Sequence, residues 1–73
     1  MQGALHSLFA QWHELFLAAA VPEPFASDYA QSFTENEIEL DQAPELTTEI
    51  LKELKVKLGH ILRILRHVKE LRQ

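Results

Sequence analysis

Histidine, glutamate and serine are the residues of this chain whose side chains could do chemistry, and their spacing decides whether they can. The four histidines fall at positions 6, 13, 60 and 67, as two pairs seven residues apart. On a helix that step returns to the same face but climbs about 10.5 Å, too far for His6 and His13, or His60 and His67, to share one metal ion. His13-Glu14 opens the H-E-x-x-H pattern of zinc hydrolases, yet Leu17 stands where the second imidazole is needed. Ser7, Ser27 and Ser32 have no G-x-S-x-G setting, and two glycines, Gly3 and Gly59, make no phosphate-cradling loop. Cysteine is absent, which removes thiolate nucleophiles, disulfide frameworks and cysteine-based metal centres. No catalytic residue, metal ligand or cofactor site is expected.

Charge is the feature that rises above a solvated surface. Residues 1–51 hold nine acidic side chains and neither Lys nor Arg, whereas residues 52–73 hold seven basic and two acidic ones. The net charge of −4 therefore conceals a strongly polarised chain. Glu35, Glu37, Glu39, Asp41 and Glu45 form the densest acidic run, and Lys55, Lys57, His60 and Arg63 the facing basic set, continued by Arg66, Lys69 and Arg72. Such a division governs what the surface attracts rather than how the chain folds.

The elements that must carry these groups are helical throughout. Leu5, Leu8, Phe9, Trp12, Leu15, Phe16 and Ala19 recur at three- and four-residue steps, which predicts a helix from about Ser7, its N-cap, to Ala20. Val21-Pro22-Glu23-Pro24 interrupts it. A second helix is predicted from near Pro24 to about Glu35, with Phe25, Tyr29 and Phe33 on its buried face and the Tyr29 hydroxyl reaching the surface. Pro44 limits anything helical between Leu40 and Glu45 to about one turn. Thr47 then caps a short helix with Ile50, Leu51 and Leu54 on its apolar side. In the last helix Leu58, Ile61, Leu62, Leu65, Val68 and Leu71 follow the helical period. The fold expected is an all-α, compact five-helix bundle with a long C-terminal helix.

With 73 residues, the chain is expected to be one unit over 1–73 with its core at about 7–71. Its longest apolar run, Leu15 to Val21, is far short of the roughly 20 residues of a membrane helix. No Lys or Arg precedes position 52, so no secretory leader is read. Together with the missing cysteines this predicts an intracellular protein, cytoplasmic or nuclear.

Four stretches carry a resemblance when taken in order: Trp12; Tyr29-Ala30-x-x-Phe33-x-x-Asn36-x-Ile38; Leu46-Thr47-x-Glu49-x-Leu51-Lys52-Glu53-Leu54-x-Val56; and Leu58-Gly59-His60-x-x-x-Ile64-Leu65. The chain resembles the sterile alpha motif (SAM) domain over about residues 7–71. It departs from the family in having Lys55 where a glycine usually follows the Leu-Lys-Glu-Leu stretch, and a connector to Leu58 one residue shorter than is common. A left-handed cap at Lys55 is expected to be strained or replaced by another turn.

The resemblance implies a non-catalytic adaptor or scaffold that binds another SAM domain, its own or that of a different protein, with a homo-oligomer or polymer as one outcome. It places the acidic face on Glu35, Glu37, Glu39, Asp41 and Glu45. The basic face falls on Lys55, Lys57, His60 and Arg63, with Leu58 and Ile61 as apolar support. The alternative it implies is RNA stem-loop binding at the basic start of the last helix. Ala18 to Phe25, where a second phosphate contact would lie, holds only Glu23 as a charged group. A membrane-surface role is disfavoured, because seven cations are offset by eleven acids.

Overall fold

The computed structural model describes residues 4–71, with side chains from position 8 onward. The histidine at position 6, the leucine at position 5 and Arg72 therefore lie outside the described side chains. Four α-helices and one 3₁₀ helix follow one another: α1 (Ala4–Ala18), α2 (Phe25–Glu35), the 3₁₀ helix (Leu40–Glu45), α3 (Thr48–Glu53) and α4 (Leu58–Leu71). The described residues contain no strand, and the five helices form the expected all-α bundle.

Helix boundaries show which local signals won. α1 begins at Ala4, so Ser7 lies inside it rather than at its cap. Nothing between Ala4 and Ser7 breaks a helix, and a serine in the interior costs only a few tenths of a kcal/mol. α1 stops at Ala18, two residues before the predicted end. Val21 precedes Pro22 and is barred from helical geometry, and the turn that redirects the chain needs Ala19 and Ala20. Pro24 occupies the N-cap of α2 and offers no capping oxygen. The Glu23 carboxylate takes over that task, accepting from the Ser27 backbone N–H at 3.1 Å and from the Ser27 hydroxyl at 2.9 Å. His13 of α1 contacts the same carboxylate and so ties the first two helices together.

Thr47 caps α3 as the sequence predicts, its Oγ1 accepting from Ile50 N–H at 3.2 Å. Between α2 and α3 the helix is six residues long and of 3₁₀ type, longer than the single turn Pro44 was expected to allow. A 3₁₀ helix bonds i to i+3 and runs three residues per turn, so the missing N–H of Pro44 costs one bond of a short ladder.

The core is built where α1 meets α2. Trp12, Phe16 and Phe33 are fully buried. The Phe33 ring lies 4.6 Å from Trp12 and 5.0 Å from Phe16, edge to face, the arrangement that aromatic quadrupoles favour. Tyr29, Ala26 and Ala30 complete the α2 face, and Leu51, Ile61, Ile64 and Val68 close the bundle from α3 and α4. Phe9 and Phe25 are half-buried against it.

The apolar stripes read from the sequence are not buried along their whole length. Leu62 and Leu71 of α4 are exposed, as is Leu58, because the core needs only the narrower stripe through Ile61, Ile64 and Val68. In α3, Ile50 is largely exposed and Leu51 is buried.

Three helices end in the same way. Val21 N–H bonds Phe16 C=O and Ala20 N–H bonds Leu17 C=O; Ile38 and Glu37 repeat the pattern onto Phe33 and Thr34, and Val56 and Lys55 onto Leu51 and Lys52. Each is a Schellman motif, with an apolar residue just past the turn packed near the buried residue five before it. The residue in the left-handed position is Ala20, Glu37 and Lys55 in turn, with φ of 71°, 57° and 67°. Of the two outcomes left open for Lys55, the strained cap is the one found. Gly59, by contrast, sits within α4.

Candidate functional site

The acidic face is held in place from beneath. Trp12 Nε1 donates to the Ile38 carbonyl at 2.7 Å, which fixes the segment leaving α2 against α1. Ala43 is buried and anchors the 3₁₀ helix to the core, while Glu39 N–H bonds the Gln42 side chain at 2.8 Å. Glu35, Glu37, Glu39, Asp41 and Glu45 are all exposed around this anchored backbone. Gln31 donates to Glu35 at 3.1 Å. Among the described residues the carboxylates of Glu37, Asp41 and Glu45 have no hydrogen-bond or ion-pair partner, and the single ion pair is His13 with Glu23. Among the described residues no lysine or arginine lies within ion-pair distance of the acidic run.

The basic set is divided by the structure. Lys55 and Lys57 are exposed and line an open groove of about 440 Å³ with Phe25, Asp28, Tyr29, Ser32 and Leu54. The Lys57 ammonium stands 5.5 Å above the Phe25 ring, a cation–π contact. Arg63 points elsewhere: its Nη1 donates to the Ala20 carbonyl at 2.6 Å, placing a cation on the negative end of α1. Leu58 is exposed as expected. Ile61 is fully buried and serves the core, so it gives no support to a surface contact.

His60 and Tyr29 join α2 to the start of α4. Tyr29 is buried as a residue, and its hydroxyl, at the edge of the groove, is engaged by two neighbours. It accepts from Lys57 N–H at 3.2 Å and lies 2.7 Å from His60 Nδ1. Having accepted from Lys57, the hydroxyl keeps its own proton to give, and we assign that proton to Nδ1 of a neutral His60. The imidazole packs 5.0 Å from the Phe25 ring. Burial, with the charges of Arg63 and Lys57 behind it, holds the His60 pKa below its ordinary 6.5. At the other joint, the His13 and Ser27 hydrogen bonds hold Glu23 below its ordinary 4.5.

These shifts give two pH windows. A depressed histidine binds its proton more weakly folded than unfolded, so the stability is complete above about pH 6.5 and lost as pH falls through the folded value. Glu23 acts in the same direction only below its own ordinary range. Between about pH 8 and about pH 5.5 the thermal midpoint is therefore expected to fall, and His60→Gln, which keeps an acceptor for Tyr29 without a titrating proton, is expected to reduce that fall. Equal slopes in the two proteins, followed by circular dichroism, would rule His60 out as the cause.

Among the described residues no group of three or more His, Asp or Glu side chains can hold a metal ion, and no helix is long and apolar enough to cross a membrane. The SAM domain (Sterile alpha motif) family model matches residues 11–72, and the chain belongs to that family. SAM domains are in general non-catalytic protein–protein interaction modules that typically associate with other SAM domains. No curated protein and no solved structure matches the chain.

Sequence reasoning missed several participants. Ile64 in the core, Leu62 at the surface and the Arg63 bond to Ala20 all depend on which of several similar α4 residues faces inward. Only the Tyr29 and His60 pairing left a trace, since both fall in the stretches that carry the family pattern.

Proposed function

We propose that this chain is a single SAM unit acting inside the cell, in cytoplasm or nucleus, as an adaptor that docks another SAM domain. Its acidic surface, Glu35, Glu37, Glu39, Asp41 and Glu45, is one docking plate. The start of α4, with Lys55, Lys57 and His60 beside Leu58, is the other, and Arg63 adds its charge from the flank while bonded to Ala20. The observation that carries the reading is the exposure of Glu37, Asp41 and Glu45 without a partner among the described residues, with Lys55 and Lys57 equally free there of carboxylates within ion-pair distance.

Charge that is not spent internally remains available to steer a partner. A contact of about 1,000 Å² or less, rimmed by ions, owes its orientation and on-rate to electrostatics and weakens with salt. An acidic plate meeting a basic one is heterologous, so identical units continue into rings or filaments while a foreign unit stops at a pair.

The RNA reading is weaker than the protein one. Its cations reduce to Lys55 and Lys57 once the Arg63 guanidinium is engaged, and Glu23 occupies the place of the second phosphate contact.

Binding to itself and to a panel of SAM domains, measured by sedimentation and by surface capture, tests the proposal. Glu37→Lys with Asp41→Lys, or Lys57→Glu, is expected to weaken the contact at least about tenfold, and raising salt from about 0.05 to about 0.5 M to weaken the wild type likewise. Affinity indifferent to every reversal and to salt would sink it. Tight, salt-sensitive stem-loop binding by the wild type would transfer the basic plate to RNA.

A further inference from the structure

The groove between α2 and the connector from α3 to α4 has the size of a ligand site, at about 440 Å³. Phe25, Tyr29 and Leu54 make it apolar, Tyr29 buried and the other two half-buried. Asp28 and Ser32 line it from α2, and Lys55 and Lys57 from the connector. From Phe25 to Ser32 the helix climbs about 10.5 Å, the reach of about three residues of extended chain.

Its charges are uneven. Lys55 and Lys57 are exposed, and among the described residues neither has a carboxylate within ion-pair distance, although Asp28 lines the same groove. The Lys57 ammonium lies 5.5 Å from the centre of the Phe25 ring, so cation and apolar surface meet at one spot. The backbone there is already satisfied: Lys55 N–H bonds Lys52 C=O, Val56 N–H bonds Leu51 C=O, and Lys57 N–H bonds the Tyr29 hydroxyl. An occupant must therefore be held by side chains. Lys55 stands where the family usually has glycine, so one of the two cations is this chain's own addition.

We propose that the groove binds a short linear segment of a different protein in which apolar and acidic residues alternate. An extended chain turns successive side chains to opposite sides, so its apolar side chains settle on Phe25 and Leu54 while the carboxylates between them meet Lys55 and Lys57. Two cations against one carboxylate select an acidic sequence over a basic one. Asp28, on the α2 side alone, takes a hydrogen-bond donor and so sets the direction of the bound segment. Apolar contacts supply the affinity and the ions the selection. A second copy of this chain is not the occupant, because its own alternating stretch, Glu37 to Asp41, keeps Ile38 and Leu40 packed against its core. Lys55 and Lys57 also belong to the basic docking plate, so a seated peptide and a docked SAM domain exclude each other. The groove itself does not rest on that docking.

Fluorescence polarisation of the whole chain with three labelled hexapeptides tests this: one alternates leucine with glutamate, one leucine with lysine, and one serine with glutamate. The first is expected to bind, and the other two at least about tenfold more weakly. Lys55→Gly suits the left-handed backbone already present and is expected to weaken binding about threefold, while Asp28→Asn tightens it about threefold. Ser32→Tyr fills the groove without changing charge and, once circular dichroism shows it folded, is expected to abolish binding. The proposal is overturned if either control peptide binds as tightly as the leucine–glutamate one, if folded Ser32→Tyr still binds, or if Lys55→Gly and Asp28→Asn both leave the affinity unmoved. A wild type that binds none of the peptides overturns it too, and leaves SAM docking to its own test. Peptide binding by a chain that docks no SAM domain would keep the groove and remove the docking plate.

Discussion

Replacing Trp12 by phenylalanine is expected to lower stability by roughly 2–4 kcal/mol and to abolish partner binding without altering a single charge. Trp12 is fully buried between Phe16 and Phe33, so the smaller ring leaves a void that the packed neighbours only partly fill. It also removes the donor to the Ile38 carbonyl, leaving a carbonyl that must find water or pay about 1–3 kcal/mol for being unpaired. The second loss falls on the segment that carries Glu37, Glu39 and Asp41. Amide exchange should therefore rise most between Ile38 and Leu46, while amides of α2 change by the global amount only. Denaturant unfolding measures the first effect, and exchange by mass spectrometry the second. Uniform exchange with unchanged binding would show that the acidic surface does not depend on this bond.

The same tryptophan shows where sequence stops informing. Its burial is legible, because Leu8, Phe9, Trp12, Leu15 and Phe16 keep helical steps and an aromatic on that stripe has nowhere else to go. Its hydrogen bond is not, because the acceptor is a backbone carbonyl that carries no residue identity. The charge polarity of the chain is likewise plain from the order of residues, and the exposure of the acidic run follows from its composition. What failed was the assignment within α4. Leucine and isoleucine at 58, 61, 62, 64 and 65 offer two overlapping apolar stripes, and only the packing of α4 in the assembled core selects Ile61 and Ile64 for burial. Leu58 and Leu62 are then left outside. Arg63 is exposed, as a surface cation should be, but its bond to the Ala20 carbonyl spans 43 positions and is a tertiary fact that the sequence does not carry. The start of α1 failed differently, since the serine cap signal was weaker than an unbroken run of residues able to continue a helix.

Glycine at the three left-handed caps is expected to raise stability, by about 0.5–1 kcal/mol each and about 1.5–3 kcal/mol together. A side chain in the left-handed region costs roughly 1–2 kcal/mol through the clash of Cβ with the following carbonyl, and glycine gives back up to about 1 kcal/mol by its greater freedom when unfolded. Ala20, Glu37 and Lys55 all occupy that region with the full Schellman bonding in place, so the backbone need not move to accept the change. At about 4–8 °C per kcal/mol for a chain this short, the triple variant should melt some 6–24 °C higher. The three sites lie at the ends of three different helices, so their effects should add. Lys55→Gly and Glu37→Gly each remove one exposed charge from a proposed plate, and Ala20→Gly removes none. If those charges steer docking, Lys55→Gly and Glu37→Gly gain stability while losing on-rate, whereas Ala20→Gly gains stability alone. Calorimetry with association kinetics separates the two consequences. A midpoint unmoved by Ala20→Gly would mean that the bundle pays nothing for its left-handed caps.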